Sequence, residues 1–486
     1  MSSFQKFICW STGAKEYEQK KAFLTFIALF CLLISYYLIK PLRNSKFLEE
    51  FHPSRLPLIY AGVAVFSFSV TKVFSHFAQK VEKYKLVSRA YFSIILCKLA
   101  LGNWLQSGGK APVVFFYFFA SVYFLLAIAT LWACINDMFT PDQSKRCFGF
   151  IALGSTLGSI VGSRISSAIS SSVYRDSTLY FSVGFMFAAL VFILLAKRSS
   201  VKSPNLVSKE KGASPAEAGE FWDELNALRS RPYIRRIGLT VLFLALATTA
   251  IEFITQTTID RELSRAQYQQ TFSDLESISF EEVYELKTMN ENQKEIVFSQ
   301  WAQSEVENPE ALFEQYRREL EIKTRIFFAQ TYGSQGIVGV FFLLVVARFL
   351  FSRIGMRYCF TLLPLVALTG LCLLAFTIDL FLVQVVLVSV GAVNFSLNNA
   401  AKEILYCATD EETLFRFKPM IEGPGMRTGD VLSSLLKLFV GVLTTGLALS
   451  EFYSTKLFLL ITMLVLIAWI RVAWLAGKEY DEKHSD

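Results

Sequence analysis

About twelve stretches of this chain are predominantly apolar over the roughly 17–25 residues that a helix needs to cross about 30 Å of hydrocarbon. They fall near 22–39, 56–77, 86–106, 111–138, 146–170, 179–196, 236–256, 328–351, 357–377, 380–402, 427–449 and 455–476. Inside a bilayer every backbone N–H and C=O must find its partner within the protein, which leaves helices as the economical solution for runs of this length. The 486 residues are 53% hydrophobic and 18% charged, too apolar for a soluble protein of this size. The expected fold is therefore an all-α polytopic membrane protein with about 12 transmembrane helices in two six-helix halves. The polar N-terminus carries no cleavage site after a short apolar core, so the first run is expected to be a retained helix.

Net charge is +7, which in a soluble chain could indicate nucleic acid. In a polytopic chain it reads as loop charge holding one side inside. Lys80, Lys83, Lys85, Arg89, Lys145, Arg146, Arg348, Arg353, Arg357, Lys402, Arg416 and Lys418 lie in one set of loops. The alternate loops are poorer, apart from the first, with Lys40, Arg43, Lys46 and Arg55. Both termini and the central loop are thus expected in the cytoplasm. The eight cysteines avoid the long polar segment placed outside, and the three histidines form no metal-ligand pattern. The glycine-rich Gly108-Gly109-Lys110-Ala111 lacks the spacing and hydroxyl residue of a phosphate-binding loop. No catalytic constellation remains, so the chain is not expected to be an enzyme, and no cofactor or metal is implied.

The domain reading is an N-terminal half over 1–197, a cytoplasmic linker over 198–235 and a C-terminal half over 236–486. Phe221, Trp222, Leu225 and Leu228 give the linker an amphipathic helix. A helical outer insert occupies 257–326, with helix-like runs near 259–272, 279–304 and 309–325, and reads as a solvated, flexible helix pair. The halves echo one another: the fourth and tenth runs both leave through Asn, then an acidic residue (Asp137, Glu403), then a polar turn. Repeated halves are how many secondary transporters are built.

Charge inside the runs points to function. Lys98 is near the middle of the third, Glu252 deep in the seventh and Lys437 about three turns into the eleventh. Such groups cost about 2.5–3.5 kcal/mol at a helix centre and usually pair or line a wet path. Lys40 and Arg43 flank Pro41, which is expected to break the first helix between them. The stretch from Asn394 to Lys437 is the most polar of all, with Lys402, Glu403, Arg427 and Asp430. Gly149, Gly154, Gly158 and Gly162 repeat every four or five residues and mark a face where helices approach closely. The turn Arg353-Ile-Gly-Met-Arg357 resembles the R-x-G-x-R turn of major-facilitator carriers and implies a gating or anchoring role, as do Arg146 and the acid–base pairs.

Together, YYLIKPLR (36–43), KRCFGFIALGSTLGSIVG (145–162), LNALRSRPYIRRIGLTVLFLALATTAIEF (225–253), the stretch 327–368 and NAAKEILYCATD…FRFKPMIEGPGMRTGD (399–430) resemble the ATP:ADP exchange transporters of obligate intracellular bacteria and plastids and their wider bacterial relatives. That resemblance implies a major-facilitator-like fold of twelve helices, exchange of nucleoside tri- and diphosphates without hydrolysis, and a bacterial inner-membrane location. It maps the basic first-helix residue to Lys40 or Arg43, the seventh-helix acid to Glu252, the Lys-Glu pair to Lys402 and Glu403, and the Arg-x-Gly to Arg427 and Gly429. The chain departs from the dedicated exchangers at Thr130, where they carry glutamate, and at Asp430, where they carry lysine. The expected substrate-binding set is Lys40, Arg43, Lys98, Glu252, Arg427 and Lys437. The expected gating pairs draw on Asp137, Arg146, Arg353, Arg357, Lys402, Glu403 and Asp430. The expected partners are a small anionic solute and the bilayer, with no nucleic acid, and an architecture of this kind is expected to work as a monomer. Two alternatives stay open: a proton-coupled carrier of another solute, and a scaffold docking through the insert.

Overall fold

The structure is a computed structural model describing residues 16–78, 81–200, 226, 228–273, 275, 278–303, 306, 308–346, 350, 354–377, 379–407, 409, 417–418, 420–447 and 451–483. The expected amphipathic linker helix falls mostly outside these residues, as does Arg353. Every long element is a helix. They are α1 (Glu16–Glu50), α2 (Leu56–Ala78), α3 (Lys83–Gln106), α4 (Lys110–Met138), α5 (Pro141–Ser170), α6 (Thr178–Ser200), α7 (Pro232–Thr271), α8 (Phe280–Glu285), α9 (Glu291–Gln303), α10 (Pro309–Phe341), α11 (Met356–Phe376), α12 (Leu380–Val393), α13 (Asn399–Cys407), α14 (Met426–Gly446) and α15 (Glu451–Lys483). Among the described residues, 11 helical segments are long and apolar enough to span a bilayer. The remaining expected run, 328–351, starts in α10, passes through a π-helical turn at Phe342–Val346 and then leaves the described set.

The chain forms two compact units. The first comprises Met1–His52, Phe66–Val207 and Leu263–Gly336; the second comprises Pro53–Val65, Ser208–Glu262 and Ile337–Asp486.

In the first unit α1 is central, packing most extensively on α5 and α6. Its seam with α5 needs glycine. A Cβ on Gly154 would lie 2.5 Å from the Phe26 carbonyl oxygen, one on Gly158 2.4 Å from that of Phe30, and one on Gly162 2.8 Å from Ile34 Cα. Gly149, at the start of the same stripe, has open space. Pro41 removes one backbone donor yet lies inside α1, which runs unbroken from Glu16 to Glu50, contrary to the expected break. Packing on both flanks holds the helix through it.

Lys98 is fully buried in this unit. Its Nζ donates to Ser35 Oγ (2.8 Å), Ser182 Oγ (2.9 Å) and Met186 Sδ (3.6 Å), and lies 4.3 Å from the Tyr123 ring centroid. All three ammonium hydrogens are therefore engaged, and α1, α3, α4 and α6 are tied at one point. Lys98→Ala removes the tie and leaves a cavity, so we expect a loss of about 2 kcal/mol or more, read as a lower thermal midpoint in detergent. An unchanged midpoint would show that the four helices do not depend on it.

The insert differs from expectation. The run 259–272 is the end of α7 and the run 309–325 is the start of α10, so both are extensions of longer helices. Among the described residues of the insert, α8 and α9 are the separate helices. They are not loosely solvated: Val283, Leu286, Phe272 and Trp301 are buried, and the Phe272 ring meets Trp301 at 5.6 Å and Tyr316 at 5.7 Å. Trp301 Nε1 donates to Glu282 Oε1 at 2.8 Å. Apolar residues spaced along polar helices built this small aromatic core, a pattern that overall polarity hid.

In the second unit α11 packs mainly on α15 and also meets α12. A Cβ on Gly477 would lie 2.4 Å from Arg357 Cα, so the helices touch backbone to backbone there. Asp481 caps α11, accepting from the Met356 amide at 2.8 Å and the Arg357 amide at 3.3 Å, where an acid also complements the helix dipole.

Candidate functional site

Each unit presents its own charged cluster. In the first, helical spacing puts Tyr36, Tyr37, Lys40, Arg43 and Asn44 along one side of α1. Lys40 Nζ lies 3.8 Å from the Tyr332 ring centroid and 5.6 Å from that of Tyr37. Arg43 lies over Tyr117 at 4.6 Å and donates to Asn44 Oδ1 and Ser121 Oγ, both at 3.0 Å. Asn44 Nδ2 in turn donates to the Tyr332 hydroxyl at 2.9 Å. Cations held against aromatic faces are favourable where water is scarce. This pairing explains the basic first loop, the exception in the charge count: Arg43 is buried against protein groups and Lys46 is paired with Glu49 at 2.7 Å.

Tyr332, Tyr37 and Tyr117 were not foreseen. Tyr37 was legible in the sequence as a neighbour at three residues' spacing; Tyr117 and Tyr332 come from other helices and carry no local signal.

In the second unit the cluster sits where α7 meets α14. A Cβ on Gly429 would lie 2.6 Å from both Ala245 Cβ and the Leu242 carbonyl oxygen. That close approach brings Asp430 to Thr249, whose hydroxyl donates to it at 2.8 Å, while Arg427 donates to its other oxygen at 3.0 Å. Glu252, one turn along α7, accepts from Gln256 Nε2 at 3.0 Å. Lys437 lies over the Phe458 ring at 4.8 Å. Thr249 was also not foreseen, since threonine in an apolar helix is unremarkable until its partner is known.

The stretch from Asn394 to Lys437 departs from simple helix–loop–helix form. The apolar helix does not end at its asparagines; it passes through a π-helical turn, Asn394–Asn398, into α13. A second π-helical turn, Ile421–Gly425, leads into α14. Such bulges are frequent at functional sites because they misalign the backbone ladder. Asn398 is buried, and its Oδ1 has no hydrogen-bond partner among the described residues. Lys402 pairs with Glu422 at 2.8 Å and Glu403 with Lys418 at 2.6 Å.

The remaining expected pairs are distributed within their units. Arg146 pairs with Glu18 at 2.6 Å, Asp137 with Lys197 at 3.5 Å and Arg357 with Asp481 at 3.1 Å. The turn before Arg357 requires Gly355, at φ +92°.

The described residues supply 11 helical segments fit to cross a membrane, with ionisable groups lodged within each unit, as in a polytopic membrane protein. The sequence matches the model of the Major Facilitator Superfamily over residues 25–272, half of the chain, and the protein belongs to that family. It is a secondary transporter by fold. Among solved structures it is similar to the nucleoside transporter NupG (TM-score 0.56, 13% identity, 94% of this chain and 99% of that one). It is also similar to a bacterial homolog of the human lysosomal transporter Spinster (0.56, 12%, 96% and 98%) and to a POT family transporter in complex with a thioalcohol-conjugated peptide (0.57, 11%, 94% and 96%). No curated protein matches the sequence.

Proposed function

We propose that this carrier exchanges nucleotides, in ATP:ADP fashion, or a related phosphorylated anion, by alternating access across a bacterial inner membrane with both termini cytoplasmic. The observation that carries this reading is the pairing of Lys40 and Arg43 with the rings of Tyr37, Tyr117 and Tyr332. Cations supply charge-assisted bonds to phosphate oxygens, and the aromatic rings offer stacking faces to a base. Arg427 and Lys437 are the second unit's own candidate cations for an anion, and Glu252 and Asp430 would hold them while none is bound. Lys98 would join them only by giving up its present bonds. Arg146, Arg357, Lys402 and their carboxylate partners are the ion pairs available to form and break between conformations. That one similar structure is a nucleoside transporter accords with this reading, although at 13% identity the likeness concerns the fold.

Proteoliposomes loaded with ADP should take up labelled ATP, and Lys40→Ala should weaken uptake about tenfold or more through loss of one charge-assisted bond. Uptake absent with every nucleotide tried, in protein shown to be folded, would reject the proposal. A second reading follows from Asp430 and Glu252 lying on facing helices: a proton-coupled carrier of another solute. It requires uptake driven by a pH gradient without a counter-substrate, and its loss in Asp430→Asn.

A further inference from the structure

The first unit holds a polar cleft of about 490 Å³ where the start of α10 lies against the end of α1, the end of α3 and the turn before α6. Ligand pockets typically occupy about 300–1,000 Å³. Leu42, Leu105 and Leu179 give part of its lining an apolar character. Its deep charges are already spent. Glu321 and Arg325, both nearly inaccessible, are joined at 2.6 Å, and Lys46 is paired with Glu49.

The rim is different. Arg318 lines the cleft, is exposed and makes no ion pair among the described residues. The Asp176 and Glu314 side chains, also lining it, are 67% and 60% exposed; each is held on one side only, by Arg175 at 3.2 Å and Arg317 at 2.8 Å. A plain anion entering here meets two exposed carboxylates, and a plain cation meets Arg318 and Arg175. A ligand carrying both signs satisfies the rim.

We propose that this cleft binds a zwitterion, with its anionic phosphate or carboxylate on Arg318 and its ammonium group between Asp176 and Glu314. Arg325 donates to the Arg175 carbonyl oxygen at 3.1 Å and so ties the backbone beside Asp176 to α10, which carries Glu314 and Arg318; the site owes nothing to the exchange reaction proposed above. Because the cleft opens beside the ends of membrane-crossing helices, the zwitterion comes either from the headgroup of a zwitterionic phospholipid or from free solution.

The test uses the full-length protein in detergent, titrated with O-phosphoethanolamine, short-chain phosphatidylethanolamine and short-chain phosphatidylglycerol, with binding read from thermal midpoints. Phosphatidylethanolamine or phosphoethanolamine should raise the midpoint, and Arg318→Ala and Asp176→Asn, both at exposed positions, should each weaken binding about tenfold, the loss of about one 1.4 kcal/mol contact. A rise with the lipid alone identifies a headgroup site, and a rise with both identifies a solute site; either supports the proposal. Equal stabilisation by phosphatidylglycerol, no stabilisation by either ethanolamine compound, or full binding in both variants would overturn it. None of these outcomes depends on transport.

Discussion

Gly158→Leu is expected to abolish folded protein in the membrane, and even Gly158→Ala should cost about 3 kcal/mol, at the upper end for an overpacked core. The new Cβ would lie 2.4 Å from the Phe30 carbonyl oxygen, 3.0 Å from Phe30 Cα and 3.0 Å from Leu33 Cβ. Two of these are backbone atoms of α1, which cannot turn aside as a side chain can, so the helices must separate. Separation loses dispersion contacts along the whole seam, the main attraction between helices in lipid. Gly149→Ala supplies the control: its Cβ meets nothing within 4 Å, and it should leave the thermal midpoint unchanged. If both variants melt alike, the α1–α5 seam is not set by this contact.

Arg325→Ala is the second large effect. Glu321 accepts from Arg325 Nε at 2.9 Å and Nη2 at 2.6 Å, and from Ser45 Oγ at 2.7 Å. Arg325 Nη1 also donates to the Arg175 carbonyl oxygen at 3.1 Å and to Thr178 Oγ1 at 3.3 Å. Both charged side chains are nearly inaccessible, so removing one strands the other, at a cost of about 3–5 kcal/mol. Replacing both, as in Glu321→Leu with Arg325→Met, should recover most of the loss; a double variant as unstable as the single one would contradict this. Glu321 precedes the apolar part of α10. Burial works to push its carboxyl up, but Arg325, then Lys46 and the Ser45 hydroxyl, outweigh burial and hold it below the usual carboxylate range. A lowered value means the contribution is complete above the ordinary carboxylate pKa and is lost as pH falls through the lowered one. Acid should therefore loosen the α1–α10 contact in the wild type and add little in the double variant.

The two experiments probe features of very different legibility. The glycine stripe could be read from its spacing, but spacing treats Gly149 and Gly158 alike. Which of them touches α1 depends on where the two helices cross. The Glu321–Arg325 pair is an i, i+4 pair on a polar helix, a pattern usually found on solvated surfaces. Its burial follows from the Thr178 turn and Ser45 closing over it, neither of which lies near it in the chain.

The candidate sites divide in the same way. The charged residues on α1 and α14 were visible because charge is rare in apolar helices. Their partners Tyr117, Thr249 and Tyr332 were not, because aromatic and hydroxyl residues are common there. Lys98 shows what rarity conveys and what it omits: an ammonium in an apolar run signals that something must satisfy it, and here two serines, a methionine and a ring do so.

That this protein belongs in a bilayer, crosses it with helices and carries ionisable groups inside its apolar runs could be read along the chain. Those facts follow from hydropathy and length, which act residue by residue. Which glycines are contacts, that Pro41 does not end α1, that the insert has an aromatic core, and which cations lie against tyrosines emerge from the packed helices. Each of these depends on two distant segments meeting, and a linear pattern carries no record of the angle at which helices cross.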